Sequence, residues 1–206
     1  MGAYVRRGPV TVAFLLVLVA VQLVLALTGT FAAARAWSST NVANLGDHPV
    51  GAIATSVFFL GNTPGVTVGT VLIVGIGVGV ALWWLEARHG LGAAAAAFLG
   101  GHVGATALTA VVIGVAVDAG RYPAAVLTGP DVGVSYGAQA AAAAAVVLLP
   151  RWWRLAGAVV LLGWPLLDAS WSGAVPDFTS VGHLVAATIG FGVGAVVRRR
   201  TRVATA

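Results

Sequence analysis

Six apolar stretches, each about as long as a helix that crosses a lipid bilayer, follow one another along this sequence. Only 8% of the 206 residues are charged, whereas 59% are hydrophobic. A water-soluble domain with so little charge could not cover its core with polar surface. We therefore predict an all-α polytopic membrane protein, a single domain over residues 1–206 with six transmembrane helices. The predicted spans are about 9–28, 66–85, 91–117, 132–149, 155–171 and 181–197.

The first span has a competing interpretation as a secretory signal peptide, because residues 32–37 contain an A-x-A-like cleavage site. Its apolar run is longer than the usual hydrophobic core of about 7–15 residues, and further spans follow. We therefore expect an uncleaved helix. Residues 30–63 form the most polar long stretch, within which residues 48–61 predict a short interfacial helix.

The arginines are distributed unevenly between the two sides of the predicted bundle. Arg35 and Arg121 lie on one side, whereas the other nine lie with the two chain termini: Arg6, Arg7, Arg88, Arg151, Arg154, Arg198, Arg199, Arg200 and Arg202. By the positive-inside rule, both termini are expected in the cytoplasm. Membrane topology therefore explains the net charge of +5, and we predict the lipid bilayer, not nucleic acid, as the surrounding partner.

Two features of the composition narrow the chemistry and the source. The chain has no cysteine, which excludes disulfides, thiol chemistry and cysteine-ligated metals. We expect no metal and no other cofactor. The abundance of alanine, valine, glycine and arginine is typical of a GC-rich bacterial genome, so we expect a multi-pass protein of a bacterial cell membrane.

Four polar side chains on four predicted helices are expected at a common depth. Counted from the nearest arginine at about 1.5 Å per residue, Ser135 lies about 24 Å and His183 about 22 Å from the cytoplasmic boundary. His102 and Asp168 each lie about 21 Å from it. Ionisable side chains within spans face the bundle interior or a cavity by default. The shared depth allows contact among the four without requiring it.

Three of these residues have structural interpretations that need no active site. A serine such as Ser135 is common in membrane helices as a small packing residue. The G-V-S-Y-G pattern matches the nucleophile elbow of soluble hydrolases, but that elbow requires a preceding strand. His102 equally suits an interhelical hydrogen bond, and Asp168 suits the membrane interface between Trp164 and Trp171.

His183 favours a catalytic interpretation more strongly. Its predicted helix carries small residues at four-residue spacing, which allow very close approach of a neighbouring helix: Gly182, Ala186, Gly190 and Gly194. Such an approach could bring the imidazole to Ser135. A serine within hydrogen-bonding reach of a histidine is the minimal activated nucleophile. The candidate catalytic residues are therefore Ser135 and His183.

Residues around the serine are candidates for supporting roles. The helix amides beginning at Ser135 could stabilise an oxyanion, and Gly133 would let a substrate backbone approach closely. Gly133 and Tyr136 are therefore candidates for oxyanion binding or substrate approach, and His102 and Asp168 are candidate auxiliary polar groups. The run Ala140–Ala145 lies inside a span and predicts a helix-packing surface.

Four segments of this sequence resemble motifs of a known family, in the same order. They are HPVGAIATSVFF at 48–59, WWLEARHGLG at 83–92, GVSYG at 133–137 and GHLVAATIGFGVG at 182–194. They are similar to the segment entering the second helix, the turn after it, the serine motif and the histidine motif of the rhomboid family of intramembrane serine proteases. The resemblance implies a six-helix rhomboid-like bundle. It also implies hydrolysis of transmembrane protein substrates by a Ser135–His183 dyad.

The sequence departs from the rhomboid pattern at several positions. Tyr136 follows the serine where the family usually has glycine, and Gln139 stands where an aromatic residue often stacks on the histidine. Thr70 and Val74 stand where active members tend to carry a His/Asn pair that helps hold the oxyanion. These departures support an alternative, a catalytically inactive rhomboid-like protein that binds the transmembrane helices of client proteins.

A small transporter or channel is a third interpretation. It would use Asp168, His102 and His183 as a polar path across the membrane. However, no charged residue is predicted deep in the cytoplasmic half. A one-sided polar layer fits a cavity that opens to the outside better than it fits a pore.

Overall fold

The computed structural model describes residues 2–61, 67–172 and 175–204, and these residues are helical almost throughout. The helices are α1 (Gly2–Arg7), α2 (Pro9–Thr28), α3 (Phe31–Ser38), α4 (Val42–Asp47), α5 (Pro49–Ser56), α6 (Val68–Leu72), a π-helical stretch (Ile73–Leu82), α7 (Trp83–His89), α8 (Leu91–Asp118), a 3-10 helix (Ala124–Thr128), α9 (Ser135–Leu148), α10 (Arg151–Leu167) and α11 (Phe178–Ala204). Two short strands, β1 (Trp171–Ser172) and β2 (Val175–Pro176), pair antiparallel between α10 and α11.

The predicted all-α membrane bundle is confirmed. Among the described residues, four helices are long and apolar enough to cross a membrane: Pro9–Thr28, Val68–His89, Leu91–Asp118 and Phe178–Val203. The second of these is continuous through α6, the π-helical stretch and α7. Ser135–Leu148 is a shorter apolar helix. With α10, these elements give one helix for each of the six predicted spans.

Several helices extend beyond the predicted spans or are displaced from them. The second long helix begins at Val68 and continues to His89, and the predicted first residue, Val66, lies outside the described residues. The fifth helix is Arg151–Leu167 and not 155–171, and the sixth is Phe178–Ala204 and not 181–197. The predicted spans followed apolarity, whereas helical hydrogen bonding continues into the polar interface, where arginine and tryptophan are favoured. Within residues 48–61, where a short interfacial helix was predicted, the structure has the short helix α5, Pro49–Ser56.

Helix α9 forms the centre of the bundle. It packs against α8, α11 and the π-helical stretch. The predicted packing role of its alanine run is confirmed, because Ala140, Ala141, Ala143 and Ala144 are each 0% exposed. Small side chains on a central helix let its neighbours approach to backbone distance, which favours association in a bilayer.

Glycines on the neighbouring helices complete this close packing. A Cβ atom at Gly190 of α11 would overlap the carbonyl oxygen of Ala140, and one at Gly194 would overlap that of Ala144. A Cβ at Gly77 of the π-helical stretch would lie 2.6 Å from the Cβ of Ala138. The predicted close approach of the histidine helix is therefore confirmed, with α9 as its partner.

A buried carboxylate joins the first and second long helices. Glu86 of α7 accepts hydrogen bonds from the backbone amides of Val10 at 2.9 Å and Thr11 at 2.8 Å, and from the Thr11 hydroxyl at 2.7 Å. The carboxylate thereby satisfies amides at the first turn of α2, where negative charge is also favoured by the helix dipole. Gly90, at φ +84°, then lets the chain turn directly into α8.

The packing of α11 on α9 predicts the effect of one added methyl group. Gly190→Ala should lower the free energy of unfolding by about 1–3 kcal/mol, because its Cβ would overlap a backbone oxygen that cannot rotate away. Gly192→Ala is the matched control, since a Cβ at Gly192 meets nothing within 4 Å. Thermal unfolding of both variants in detergent checks this prediction. Equal melting temperatures for the two variants would contradict it.

Candidate functional site

Ser135 is the first residue of α9, and the loop before it is held by backbone hydrogen bonds. The amide of Gly133 donates to the carbonyl oxygen of Ser56 at 3.0 Å, and that of Val134 donates to Phe59 at 2.9 Å. Gly133 has φ +147°, a backbone conformation that side chains rarely allow. This glycine is therefore needed to present the serine, while its own amide is already used.

His183 lies one and a half turns into α11 and is buried. Its Nδ1 atom lies 2.8 Å from the carbonyl oxygen of Thr179. A carbonyl oxygen only accepts, so Nδ1 carries the hydrogen, and in the neutral ring Nε2 then holds the lone pair. Among the described residues, Nε2 has no hydrogen-bond partner. The histidine is thus held in the tautomer that a general base requires.

Ser135 and His183 line one cavity of about 380 Å³. Its walls come from the second long helix, α9, α10 and α11, and most of the lining is apolar. Within the part of the chain that the structure describes, no hydrogen bond joins the two residues. Catalytic hydrogen bonds are often long without substrate and tighten when it binds. The shared cavity is therefore the observation that keeps Ser135 and His183 as a candidate nucleophile and base.

The start of α9 also provides unused donors. Ala138 is the first residue of this helix whose amide reaches back to a carbonyl, that of Val134. The amides of Ser135, Tyr136 and Gly137 have no acceptor among the described residues, as expected for the first turn of a helix. Donors at this position suit an oxyanion that develops beside the serine.

Two aromatic rings fix the imidazole of His183. Tyr136 contacts it edge-on with ring centroids 5.2 Å apart, and Trp164 of α10 does so at 4.8 Å. The Trp164 indole donates to Gln139 Oε1 at 3.3 Å, and Gln139 Nε2 donates to the Leu161 carbonyl at 2.7 Å. Gln139 therefore holds the ring that contacts the histidine, although it is not itself aromatic.

Tyr136 fits beside His183 because glycine stands opposite it. A Cβ at Gly182 would overlap the Tyr136 ring. The tyrosine is buried and packs behind the imidazole, outside the cavity lining, so only its backbone amide remains as a candidate oxyanion donor. Tyr136 and Gly182 are thus a complementary large and small pair across α9 and α11.

His102 and Asp168, the two candidate auxiliary residues, do not line this cavity. His102 lines a separate cavity of about 790 Å³ between α2, α5 and α8. Its Nε2 atom lies 3.1 Å from the Ile53 carbonyl oxygen and 3.2 Å from the Ser56 hydroxyl, which attaches α5 to α8. Asp168 is exposed at the C-terminal end of α10. Of the four polar residues that were expected at one depth, two line this cavity and two do not.

A family model described as "Rhomboid-like protein" matches residues 3–203. The chain belongs to the rhomboid-like family. No curated protein and no solved structure matches this sequence.

One rhomboid motif remains absent in this rhomboid-like chain. The Thr70 hydroxyl lies 3.0 Å from that of Thr67, which caps α6, and Val74 packs against the apolar core. Neither residue lines the Ser135 cavity. The backbone amides at the start of α9 adjoin Ser135 and are the remaining candidate donors.

Asp131 fastens the loop before Ser135, a role that the sequence did not reveal. The Thr40 hydroxyl donates to its Oδ2 at 3.1 Å, and the Tyr136 hydroxyl donates to its Oδ1 at 3.4 Å. Its backbone carbonyl accepts from the Thr40 amide at 2.7 Å, and its amide donates to the Ser39 hydroxyl at 2.9 Å. Burial raises the pKa of Asp131 from 3.8 to about 6, against the opposite effect of the Thr40 and Tyr136 hydrogen bonds.

The raised pKa of Asp131 predicts a pH-dependent stability. The Asp131 carboxyl group binds its proton more tightly in the folded protein than in the unfolded chain. The free energy of unfolding should therefore fall as pH rises from about 4 to about 6. Asp131→Asn should remove this pH dependence of the free energy of unfolding. Asp118→Asn, at the exposed end of α8, should retain it. Unfolding in detergent across this range is the measurement. The prediction fails if both variants show the same pH dependence.

Proposed function

We propose that this rhomboid-like protein is an intramembrane serine protease that cleaves membrane-anchored protein substrates with a Ser135–His183 dyad. The observation that carries the proposal is the state of His183. Its Nδ1 atom is tied to a backbone carbonyl, while its unpartnered Nε2 belongs to a residue that lines the same cavity as Ser135. A nucleophile and an oriented base beside unused helix amides form the minimal machinery for acyl transfer.

The proposed reaction proceeds in two steps. The Ser135 oxygen attacks the substrate carbonyl carbon while Nε2 of His183 takes the hydroxyl proton, and the carbonyl oxygen becomes an oxyanion facing the α9 amides. As the C–N bond breaks, His183 returns the proton to the leaving amine. Water then attacks the acyl-enzyme in the same way and releases the new carboxylate. No cofactor is needed for either step.

The charge distribution supports an outward-facing site in a cell membrane. Ser135 starts α9 at the end opposite Arg151 and Arg154, which begin the next helix. If the arginine-rich end is cytoplasmic, as the positive-inside rule predicts, both termini are cytoplasmic and the cavity lies toward the outer surface. Substrates would then be cut near the outer ends of their transmembrane helices.

Covalent labelling tests the nucleophile. The Ser135 oxygen should attack the phosphorus of a fluorophosphonate probe and displace fluoride while His183 takes the hydroxyl proton, which labels the purified protein. Ser135→Ala should abolish this labelling. His183→Ala should remove most of the labelling rate, because the two residues act as one unit. Ser170→Ala, which removes an exposed hydroxyl from the loop between α10 and α11, is the control and should label normally. Labelling that persists in Ser135→Ala would exclude this residue as the nucleophile.

Trp164 is predicted to position His183 through its ring. Trp164→Leu should slow labelling by roughly ten- to a hundredfold, because a small displacement of a catalytic group is costly. Trp164→Phe, which keeps a ring against the imidazole, should restore most of the rate. Labelling kinetics on variants with matched thermal stability provide the comparison. Equal rates in the leucine and phenylalanine variants would show that the ring does not position the base.

A specific observation favours a second function, the binding of client transmembrane helices without hydrolysis. The second-helix positions expected to hold the oxyanion are Thr70 and Val74, and neither lines the cavity. The largely apolar lining would still accept a helix from the bilayer. This alternative predicts that the natural protein is not labelled, and that Ser135→Ala cross-links to membrane proteins as efficiently as the natural chain. Labelling that depends on Ser135 would exclude it.

A further inference from the structure

The end of the bundle opposite Ser135 contains two adjoining cavities that the proposed protease does not use. One, of about 870 Å³, lies between the start of α8 and the C-terminal half of α11. The other, of about 340 Å³, lies beside it near the end of α9. Arg88, His89 and Thr201 line both cavities, so they form one continuous groove with a shared rim. We call it the basal groove.

The rim of the basal groove is strongly cationic. Arg88, Arg198 and Arg200 line it, and within the described residues none of the three has a carboxylate partner. Glu86 is the nearest acid along the chain, but its two oxygens are occupied by the first turn of α2. No Asp or Glu side chain among the described residues is therefore shown to neutralise this rim, which remains positively charged.

The remaining aspartates lie far from the basal groove. Asp118 ends α8, a helix of 28 residues, and so lies about 42 Å from its start at the basal groove. Asp131 and Asp177 precede α9 and α11 at the same far end, and Asp168 ends α10 there. Asp47 ends α4, which packs near the far end of the bundle through the 3-10 helix. Five of the six acidic side chains therefore lie toward the end of the bundle opposite the basal groove.

Away from the arginines, the basal groove is a shallow apolar surface that is lined by small residues. Gly92, Ala93 and Ala96 of α8 face Gly192, Val193 and Val196 of α11 across it. A Cβ at Gly92 or Gly192 would meet nothing within 4 Å, so the space beside these glycines is open. An apolar groove of this kind, flanked by lipid-exposed helices and ending in arginines, matches an amphiphile with an anionic head and a hydrocarbon chain.

We propose that the basal groove is a binding site for an anionic phospholipid. The phosphate pairs with Arg88, Arg198 and Arg200, and one acyl chain lies between α8 and α11 against Gly92 and Gly192. Cationic pockets between transmembrane helices are suited to such head groups. A soluble phosphate ester shares the head-group chemistry but would leave the apolar surface between α8 and α11 uncovered. The proposal is independent of the protease assignment.

Native mass spectrometry of the detergent-purified protein tests the site with phosphatidylglycerol and phosphatidylcholine as probes. The natural chain should retain phosphatidylglycerol in preference to phosphatidylcholine. Arg88→Gln and Arg200→Gln should each weaken this retention about fivefold, the effect of one arginine near an anionic lipid. Arg199→Gln removes the same charge one residue away, from an exposed side chain outside the groove, and should change retention little. All three replacements are on exposed side chains, so the fold should be retained.

A second pair of variants tests the acyl-chain part of the site. Gly192→Leu should fill the groove and abolish lipid retention, whereas Gly114→Leu, at another open helical position on α8 outside the groove, should not. An equal effect of Arg199→Gln and Arg200→Gln would show diffuse surface attraction and overturn the proposal. Unchanged retention in Gly192→Leu, or full displacement of the lipid by millimolar glycerol 3-phosphate, would show a phosphate site without an acyl chain and would overturn it as well.

Discussion

The close packing of α11 on α9 is the contact on which the rest of the site depends. In a bilayer the hydrophobic effect does not drive helices together, so association relies on van der Waals contact between backbones. Gly190 and Gly194 of α11 lie against the backbone of Ala140 and Ala144, with no room for a single methyl group. This contact fixes the rotation and the height of α11. It thereby decides where His183, two turns before Gly190, meets the start of α9.

Around His183, the residues that depart from the rhomboid pattern have contact partners on other helices. The large Tyr136 after the serine is accommodated by Gly182 on the facing helix. The ring missing at Gln139 is supplied by Trp164 from α10, and Gln139 orients that ring. Each departure from the rhomboid pattern around the histidine is therefore matched by a partner on another helix. Thr70 and Val74, which stand where a His/Asn pair is expected in the second helix, have no such compensating partner. The Thr70 hydroxyl instead contacts that of Thr67, the residue that caps the same helix.

Sequence reasoning could predict what depends on one helix at a time. The lengths of the apolar stretches predicted a bundle of membrane helices. The four-residue spacing of small residues predicted which face of the histidine helix packs against a neighbour. Counting residues along each helix predicted a common depth for Ser135 and His183. Depth alone, however, does not specify which face of a helix points toward a given neighbour. His102, which was expected at a similar depth, lines another cavity. The roles of Trp164 and Asp131 come from contacts between helices and loops, so the sequence pattern did not indicate them. Apolarity also misplaced the limits of α10, because its helix includes the interfacial Arg151 and Trp152.

The central claim is that Ser135 and His183 act on each other across one cavity, and the absence of cysteine offers a direct test. Ser135→Cys places a single thiol at the nucleophile position, and the thiolate is the form that iodoacetamide alkylates. If His183 takes the proton, alkylation at neutral pH should slow by roughly tenfold when His183→Gln is added. Adding His102→Gln instead should leave the rate unchanged. An alkylation rate that does not respond to His183→Gln would contradict the account.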